Sequence, residues 1–376
     1  MKTLVIGDPH FKYKKVKESE EYVTNIVNIA IKHQPTFIVI LGDVLDTHEI
    51  VRVQPHKLVT RFLKELSDVA HTYVLIGNHD YINNSQFLTD NHIFNPFKEW
   101  NNVTIVDKVL YRDIEDKTFV FVPYVPKGKF IDALDTLIQE GETWELADCI
   151  FAHQEFRGCK NTDTFKSKSG DVWDSDYPLV ISGHIHIAQN LGENIKYPGS
   201  SMQHFHHEPH KKYVWIVEWG DDPKITKISV GMKQKKLLKM DLSDLENLSD
   251  LATKDGKFFG SLDLRINLTG TSAEFKNFKT SDAYSDLVKK GVTFSYELKT
   301  DYIAKGLDNT TKMDVRYDTV LQEIVSGKSE FVKREYKVLF GDLGEHEKQS
   351  EYIELNFISE TEENSTHECS RTDEEL

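Results

Sequence analysis

Eight side chains along this chain stand where a reaction centre would need them. Asp8 and His10, Asp43, Asn78 and His79, His153, and His184 with His186 each close a short apolar run, and a glycine precedes four of these five groups. Carboxylate, amide oxygen and imidazole together form a mixed donor set that suits divalent ions. Asp43 has the acceptor capacity to bridge two ions, Asp8, His10 and His186 can complete one shell, and Asn78, His153 and His184 the other. Two ions about 3.5–4 Å apart clamp an in-line displacement at phosphorus and activate a water. His79 is then left to face the phosphate, with Asp46 and Asp80 as outer supports. Alternation along an extended chain would put Asp8 and His10 on one side, and likewise His184 and His186.

The segments "KTLVIGD", "TFIVILGD" and "TYVLIGNHD" are apolar, rich in β-branched residues and end in polar groups, so they read as buried strands that deliver their last residues to one place. Between them, Tyr22, Val23, Ile26, Val27 and Ala30 keep helical spacing, as do Leu58, Phe62, Leu63, Leu66 and Val69 behind Pro55. Strand, helix, strand, helix, strand implies parallel strands with covering helices. From about residue 101 short strands dominate, with a helix near 127–139, which suggests two packed sheets with helices outside. Gly220-Asp221-Asp222-Pro223 is a turn cluster and marks an expected boundary, so residues 1–222 form the first domain. Residues 223–311 form a small α/β module, in which "SLDLRINLTG" and "TFSYELKT" alternate with period two. Residues 312–344 carry two apolar helical stripes and read as a helical hairpin, and 345–376 as a mostly disordered acidic tail.

Charge supports that division. The net charge is −15, and the segment 341–376 holds twelve Asp/Glu against Lys348 and Arg371, which leaves about −5 on the body. A broadly basic nucleic-acid binder is excluded, a local basic groove is not. Cys149, Cys159 and Cys369 have neither disulfide-like nor metal-like spacing, which suits a reducing compartment. No stretch approaches the roughly 20 apolar residues of a membrane span. The expected setting is soluble and intracellular, with no membrane partner.

"DPH", "GDVLD", "GNHD", "AH" and "GHIH", in this order, resemble the five motifs of the calcineurin-like metallophosphoesterases over residues 1 to about 218. Within that superfamily the chain looks most like the SbcD-type nuclease subunits of double-strand-break repair, through GNHD, "GHIH" followed by "YPGSS", and the small module ahead of a helical hairpin. The resemblance implies a metallophosphoesterase two-sheet sandwich flanked by helices, an α/β cap, two Mn²⁺ ions, DNA phosphodiester hydrolysis and an SbcC-like SMC-type ATPase gripped by the hairpin, with a homodimer as an option. Asp46 stands where many eukaryotic and archaeal members of that family carry a histidine, and bacterial and phage-like ones an aspartate. Another phosphodiester or phosphomonoester substrate is the competing reading, although no arginine follows Asp46 as it does in protein phosphatases. A scaffold that has lost catalysis would lack ligands, and none is missing.

Four further residues are candidates for DNA contact. Lys233, Lys235 and Lys236 in "KQKKLLK" could meet phosphates or form a solvated face. Trp173, with Phe165, could stack on unpaired bases or anchor its long loop. His204, His206, His207 and His210 read as a polar loop near the site or a chance histidine-rich tract rather than a further metal site.

Overall fold

The computed structural model describes residues 1–161, 165–244 and 262–299. The expected hairpin at 312–344 and the tail at 345–376 lie outside the described residues. Met1–Asp301 forms one compact unit.

The first apolar runs are strands β1 (Lys2–Ile6), β2 (Phe37–Ile40) and β3 (His71–Leu75), which pair in parallel and continue into β4 (Val103–Val106). Both faces of this sheet are covered, which is why the runs are apolar without alternation. Leu4 and Ile6 face helices α1 (Val16–His33) and α2 (Val53–Ser67), while Val5 faces the second sheet. The expected helical stripes are the buried faces: Tyr22, Val23, Ile26 and Ala30 on α1, Leu58, Phe62, Leu63 and Leu66 on α2. Pro55 sits in the first turn of α2, where its missing N–H breaks no helical bond.

The second sheet contains β5 (Leu110–Ile114), β6 (Lys117–Val122), β7 (Cys149–Ala152), β8 (Val180–Ser182), β9 (Gln189–Leu191) and β10 (Ile195–Tyr197), in the order β5-β6-β7-β8-β10-β9. Its outer face packs on the short helices α3 (Phe130–Leu134) and α4 (Thr136–Gln139). Between the sheets lies an aromatic layer of Phe37, Tyr73, Phe119, Phe121, Phe151, Trp215 and Trp219. The architecture is therefore the expected two-sheet sandwich with helices outside.

Strands β11 (Tyr213–Glu218) and β12 (Lys224–Ser229) form an antiparallel hairpin on the first sheet, with β11 against β1. Gly220–Pro223 is the turn of that hairpin, so the expected division at 222/223 falls inside it, and the first sheet runs to Ser229. A turn cluster marks a reversal of the chain and does not say whether the next strand joins a new sheet.

Strands β13 (Gln234–Asp241), β14 (Leu262–Gly270) and β15 (Thr293–Leu298) make a small parallel sheet. Helices α5 (Ser272–Lys279) and α6 (Asp282–Lys289) cover one face, packing Phe275, Phe278 and Leu287 on Leu264, Ile266 and Leu268. Thr271 and Glu274 cap α5 reciprocally, each side chain accepting the other's backbone N–H. The period-two pattern of "LDLRINL" has a direct cause: one side of β14 meets these helices, and Arg265 and Asn267 face away.

Candidate metal centre

The carboxyl ends of β1, β2, β3, β7 and β8 converge, and ligands in open α/β sheets bind outside such strand ends. Asp8, His10, Asp43, Asn78, His153, His184 and His186 are all brought together there. Three groups have donor atoms within 4.8 Å of one another: Asp8, His10 and His186; Asp43, His153 and His184; and His10, Asp43 and His79.

Asp43 is central. Its Oδ1 accepts the backbone N–H of His79 at 2.9 Å, while Oδ2 lies 3.4 Å from Nε2 of both His10 and His153. Nε2 of His10 is in turn 3.1 Å from Nε2 of His186. On the other side, Asn78 Oδ1 lies 3.1 Å from His153 Nε2 and 2.9 Å from His184 Nδ1. The Asn78 amide is aimed by donating to Asn84 Oδ1.

The approach is not the expected extended alternation. Asp8, His10, Asp43 and His184 have φ of 36°, 43°, 48° and 74°, the left-handed region that non-glycine residues rarely occupy. Tight reversals at the strand ends aim these side chains inward, and the strain is held where it is functionally useful. Glycine is required beside them: a Cβ on Gly42 would lie 2.5 Å from His153 Nδ1, and one on Gly77 would collide with the Asp43 carboxylate.

The donor set fits divalent ions. Asp8 Oδ2 is buried and has no hydrogen-bond partner among the described residues, although Oδ1 accepts from the His184 N–H. A buried orphan carboxylate oxygen beside converging imidazole nitrogens is costly unless a cation completes it. Burial raises the Asp8 carboxyl above its ordinary range. Burial acts the same way on Asp43, yet the charge and hydrogen bond of His153, with His10 and His79, hold that carboxyl well below it. Burial would lower His153, but Asp43 and Asp8 push it up to about 9.

Of the expected outer residues, Asp80 accepts the backbone N–H groups of Leu45, Gly77 and Val44 at 2.9, 3.0 and 3.3 Å, so it ties the loop after β2 to the loop after β3. Burial and nearby Asp43 push its carboxyl up to about 7. Asp46 points a carboxylate at Lys12 Nζ, 2.9 Å away, and its carbonyl is 2.9 Å from His79 Nδ1. His48 stacks on His79 with ring centroids 4.9 Å apart.

The four candidate DNA contacts fare differently. Lys235 is a correction: its ammonium is buried against Glu18 and the Gln203 carbonyl, because β13 docks here on the first domain. Trp173 is a second: its ring packs among Phe130, Trp144, Phe156 and Tyr177 and its N–H donates to Pro178 O, so it anchors the loop. Lys233 and Lys236 are exposed on either side of Lys235.

Two supports escaped the motif reading, and a third, His204, comes from the histidine-rich loop expected near the site. Glu155 Oε2 lies 3.8 Å from His184 Nε2, and the same carboxylate binds Ser167 and Lys127; His184 holds it down at about 2. Glu208 Oε1 lies 3.2 Å from His186 Nδ1. Burial would raise Glu208, but His186 and Lys212 bring it to about 2. His204 is buried, with Nε2 2.9 Å from the Asp8 carbonyl and its ring 4.8 Å from that of His10. A carboxylate on the far nitrogen of a ligand histidine fixes its tautomer and orientation. The only sequence signals were Glu155 two residues past His153 and Glu208 inside the histidine-rich tract.

Residues 1–188 match the calcineurin-like phosphoesterase family, whose members bind divalent metals. The chain is 37% identical over 308 residues to "Putative phosphoesterase 078R" of Invertebrate iridescent virus 3, covering 81% of this chain and 86% of that protein. It is 36% identical over 283 residues to "Putative phosphoesterase 244L" of Invertebrate iridescent virus 6, covering 74% and 97%. Among solved structures, GAP50, the anchor in the inner membrane complex of Plasmodium, aligns at 14% identity and a TM-score of 0.41 over 61% of this chain and 84% of its own, a likeness too low to carry function. No helix among the described residues is long and apolar enough to cross a membrane.

Proposed function

Because the chain belongs to the calcineurin-like phosphoesterase family, we propose that this phosphoesterase is a two-metal DNA nuclease of SbcD type, working with an SMC-like coiled-coil ATPase. One observation carries the two-metal reading. Asp43 Oδ2 stands 3.4 Å from an imidazole nitrogen on each side, so one carboxylate oxygen faces two separate donor sets. Asp8, His10 and His186 would hold one ion and Asn78, His153 and His184 the other, with Asp43 shared. The ions, manganese in this proposal, would supply Lewis-acid charge and a water made nucleophilic near neutral pH.

The chain's own residues orient and move protons around that charge. His79 donates Nδ1–H to the Asp46 carbonyl, so Nε2 is the nitrogen left for the reaction; in the imidazolium form the ring would pass its Nε2 proton to the departing oxygen and be left neutral, its Nδ1–H still on Asp46. Such help is worth about 10²–10⁴-fold in rate. His48, stacked on His79, limits the tilt of that ring. Position 47 is threonine, so no guanidinium stands after Asp46 to fork onto the oxygens of a phosphomonoester, which favours a diester. The second reading, a phosphomonoesterase or an enzyme for another small phosphoester, draws on Lys12, whose ammonium lies beside Asp46 at the edge of the site. The ATPase partner rests on the sequence resemblance and the two apolar stripes in 312–344.

The test is hydrolysis of linear, hairpin and single-stranded DNA with Mn²⁺, beside a phosphomonoester control. DNA cutting that stops on chelation is the expected result. Turnover confined to the monoester would replace this reading with the second. Deletion of residues 312–376 should abolish co-purification with the ATPase and leave metal binding intact.

A further inference from the structure

A cleft of about 600 Å³ lies between the segment after β1, the loop after Met202 and the uncovered face of the small sheet. Its size is that of a ligand pocket. The chain carries a net charge of −15, yet the eleven residues lining this cleft include Lys12, Lys14, Lys15 and Arg265, three histidines and no carboxylate. Acids at its rim are already engaged: Glu18 with Lys15 and Lys235, Asp263 with His206, Asp46 with Lys12, and Glu297 with the Asn267 amide. Arg265 and Lys14 have no carboxylate partner among the described residues. Burial and Lys235 pull the Lys15 ammonium below its ordinary range, a sign of crowded positive charge.

The cleft also offers a flat apolar surface. Phe205 is 48% exposed, which is unusual for a phenylalanine, and its ring lies parallel to His207 with centroids 5.4 Å apart. Lys12 Nζ sits 4.5 Å above the Phe205 centroid. An exposed aromatic face flanked by cations is how proteins hold unpaired bases between their phosphates.

The cleft opens toward the metal centre. Lys12 binds Asp46, and His204, whose ring touches His10, lines the inner wall. We infer that this cleft is a subsite for single-stranded polynucleotide, in which Lys14 and Arg265 bind phosphates flanking the scissile one and Phe205 stacks on an unpaired base. The inference rests on the phosphodiesterase reading for the scissile position but makes a binding claim of its own.

Binding is measured by anisotropy of a short fluorescein-labelled oligothymidylate in EDTA across a salt series, so that it is read without turnover. Arg265→Ala should weaken binding and flatten the slope of log K against log salt by about 0.7, the value for one phosphate contact on a single strand. Arg265→Lys should restore the slope. Phe205→Ala should weaken binding about 5- to 150-fold with the slope unchanged. With Mn²⁺, both alanine variants should lose at least about tenfold more kcat/KM on the oligonucleotide than on bis-p-nitrophenyl phosphate. Equal losses on the two substrates, wild-type binding by both variants, or a duplex of the same length binding as tightly as the single strand would overturn the subsite. If the binding pattern holds but the wild-type protein hydrolyses neither substrate with Mn²⁺, the subsite stands and the phosphodiesterase reading falls.

Discussion

The two halves of the metal centre are held in different ways. On one side His153 is fully buried, its Nδ1 2.6 Å from the Leu41 carbonyl, and His184 is flanked by Glu155, which Ser167 and Lys127 hold in place. Every support there belongs to the sandwich. On the other side His186 leans on Glu208, and His10 on His204, in a loop that also touches the small sheet. Gln203 exchanges two hydrogen bonds with the Lys235 backbone, and His206 lies 3.2 Å from Asp263. One group of candidate ligands is thus tied to the sandwich core alone, and the other is coupled to the docking of the small sheet.

Asp43 joins the halves, so its loss should have the largest effect. Asp43→Asn removes the shared charge and leaves His10 and His153 facing a neutral amide. Both ions should be lost in metal analysis and DNA hydrolysis should fall to background. Retention of one full equivalent of metal would show that the halves are independent and that Asp43 does not bridge. His79→Gln tests the opposite property. It should keep both ions and lose about 10²–10⁴-fold in kcat, because its imidazole is assigned to a proton and not to an ion. A variant emptied of metal would move His79 into the ligand set.

The contrast also explains what could be read ahead of the structure. Donors at the ends of apolar runs were legible because strand ends must converge when parallel strands share a sheet, and Asp8, Asp43, Asn78, His153 and His184 are local to those ends. The small sheet was legible from the alternation in β14. The supports were not, since Glu155 and Glu208 acquire their roles from contacts between distant loops, and no spacing marks a carboxylate that will meet the back of an imidazole. The DNA-contact reading of Lys235 failed for a related reason, and for Trp173 the loop-anchoring alternative displaced base stacking. Composition offered them to solvent and to nucleic acid, while docking of β13 and closure of the loop after His153 buried them in tertiary contacts. The hairpin turn at Gly220–Pro223 shows the same limit, because the partner of a strand is a non-local fact.

Separating the two halves is the next test. Loss of a carboxylate behind a ligand histidine typically costs 10–100-fold in metal affinity. Glu208→Gln should weaken one of the two Mn²⁺ ions by about that factor and leave the other, while Glu155→Gln should weaken the opposite one. Titration followed by electron paramagnetic resonance distinguishes the singly loaded forms. If both variants weakened the same ion, or each weakened both equally, the division into halves would be wrong.

The smallest expected effect probes the coupling itself. Lys235→Met removes an ammonium that is buried against Glu18 and the Gln203 carbonyl, and keeps the length of the side chain. Glu18 is partly exposed and can return to water, so the cost is that of lost hydrogen bonds rather than of a stranded charge, about 1–3 kcal/mol. Lys233→Ala, on an exposed neighbour, should stay within about 0.5 kcal/mol. Denaturant melts read both values. Loosening Gln203 loosens the loop that carries His204 and Glu208, so Lys235→Met should also weaken the ion beside His186 slightly and leave the one beside His153 untouched. A stability loss without that selective change would separate docking of the small sheet from the metal centre. A loss of DNA affinity with stability unchanged would return Lys235 to the role of a phosphate contact, which its burial argues against.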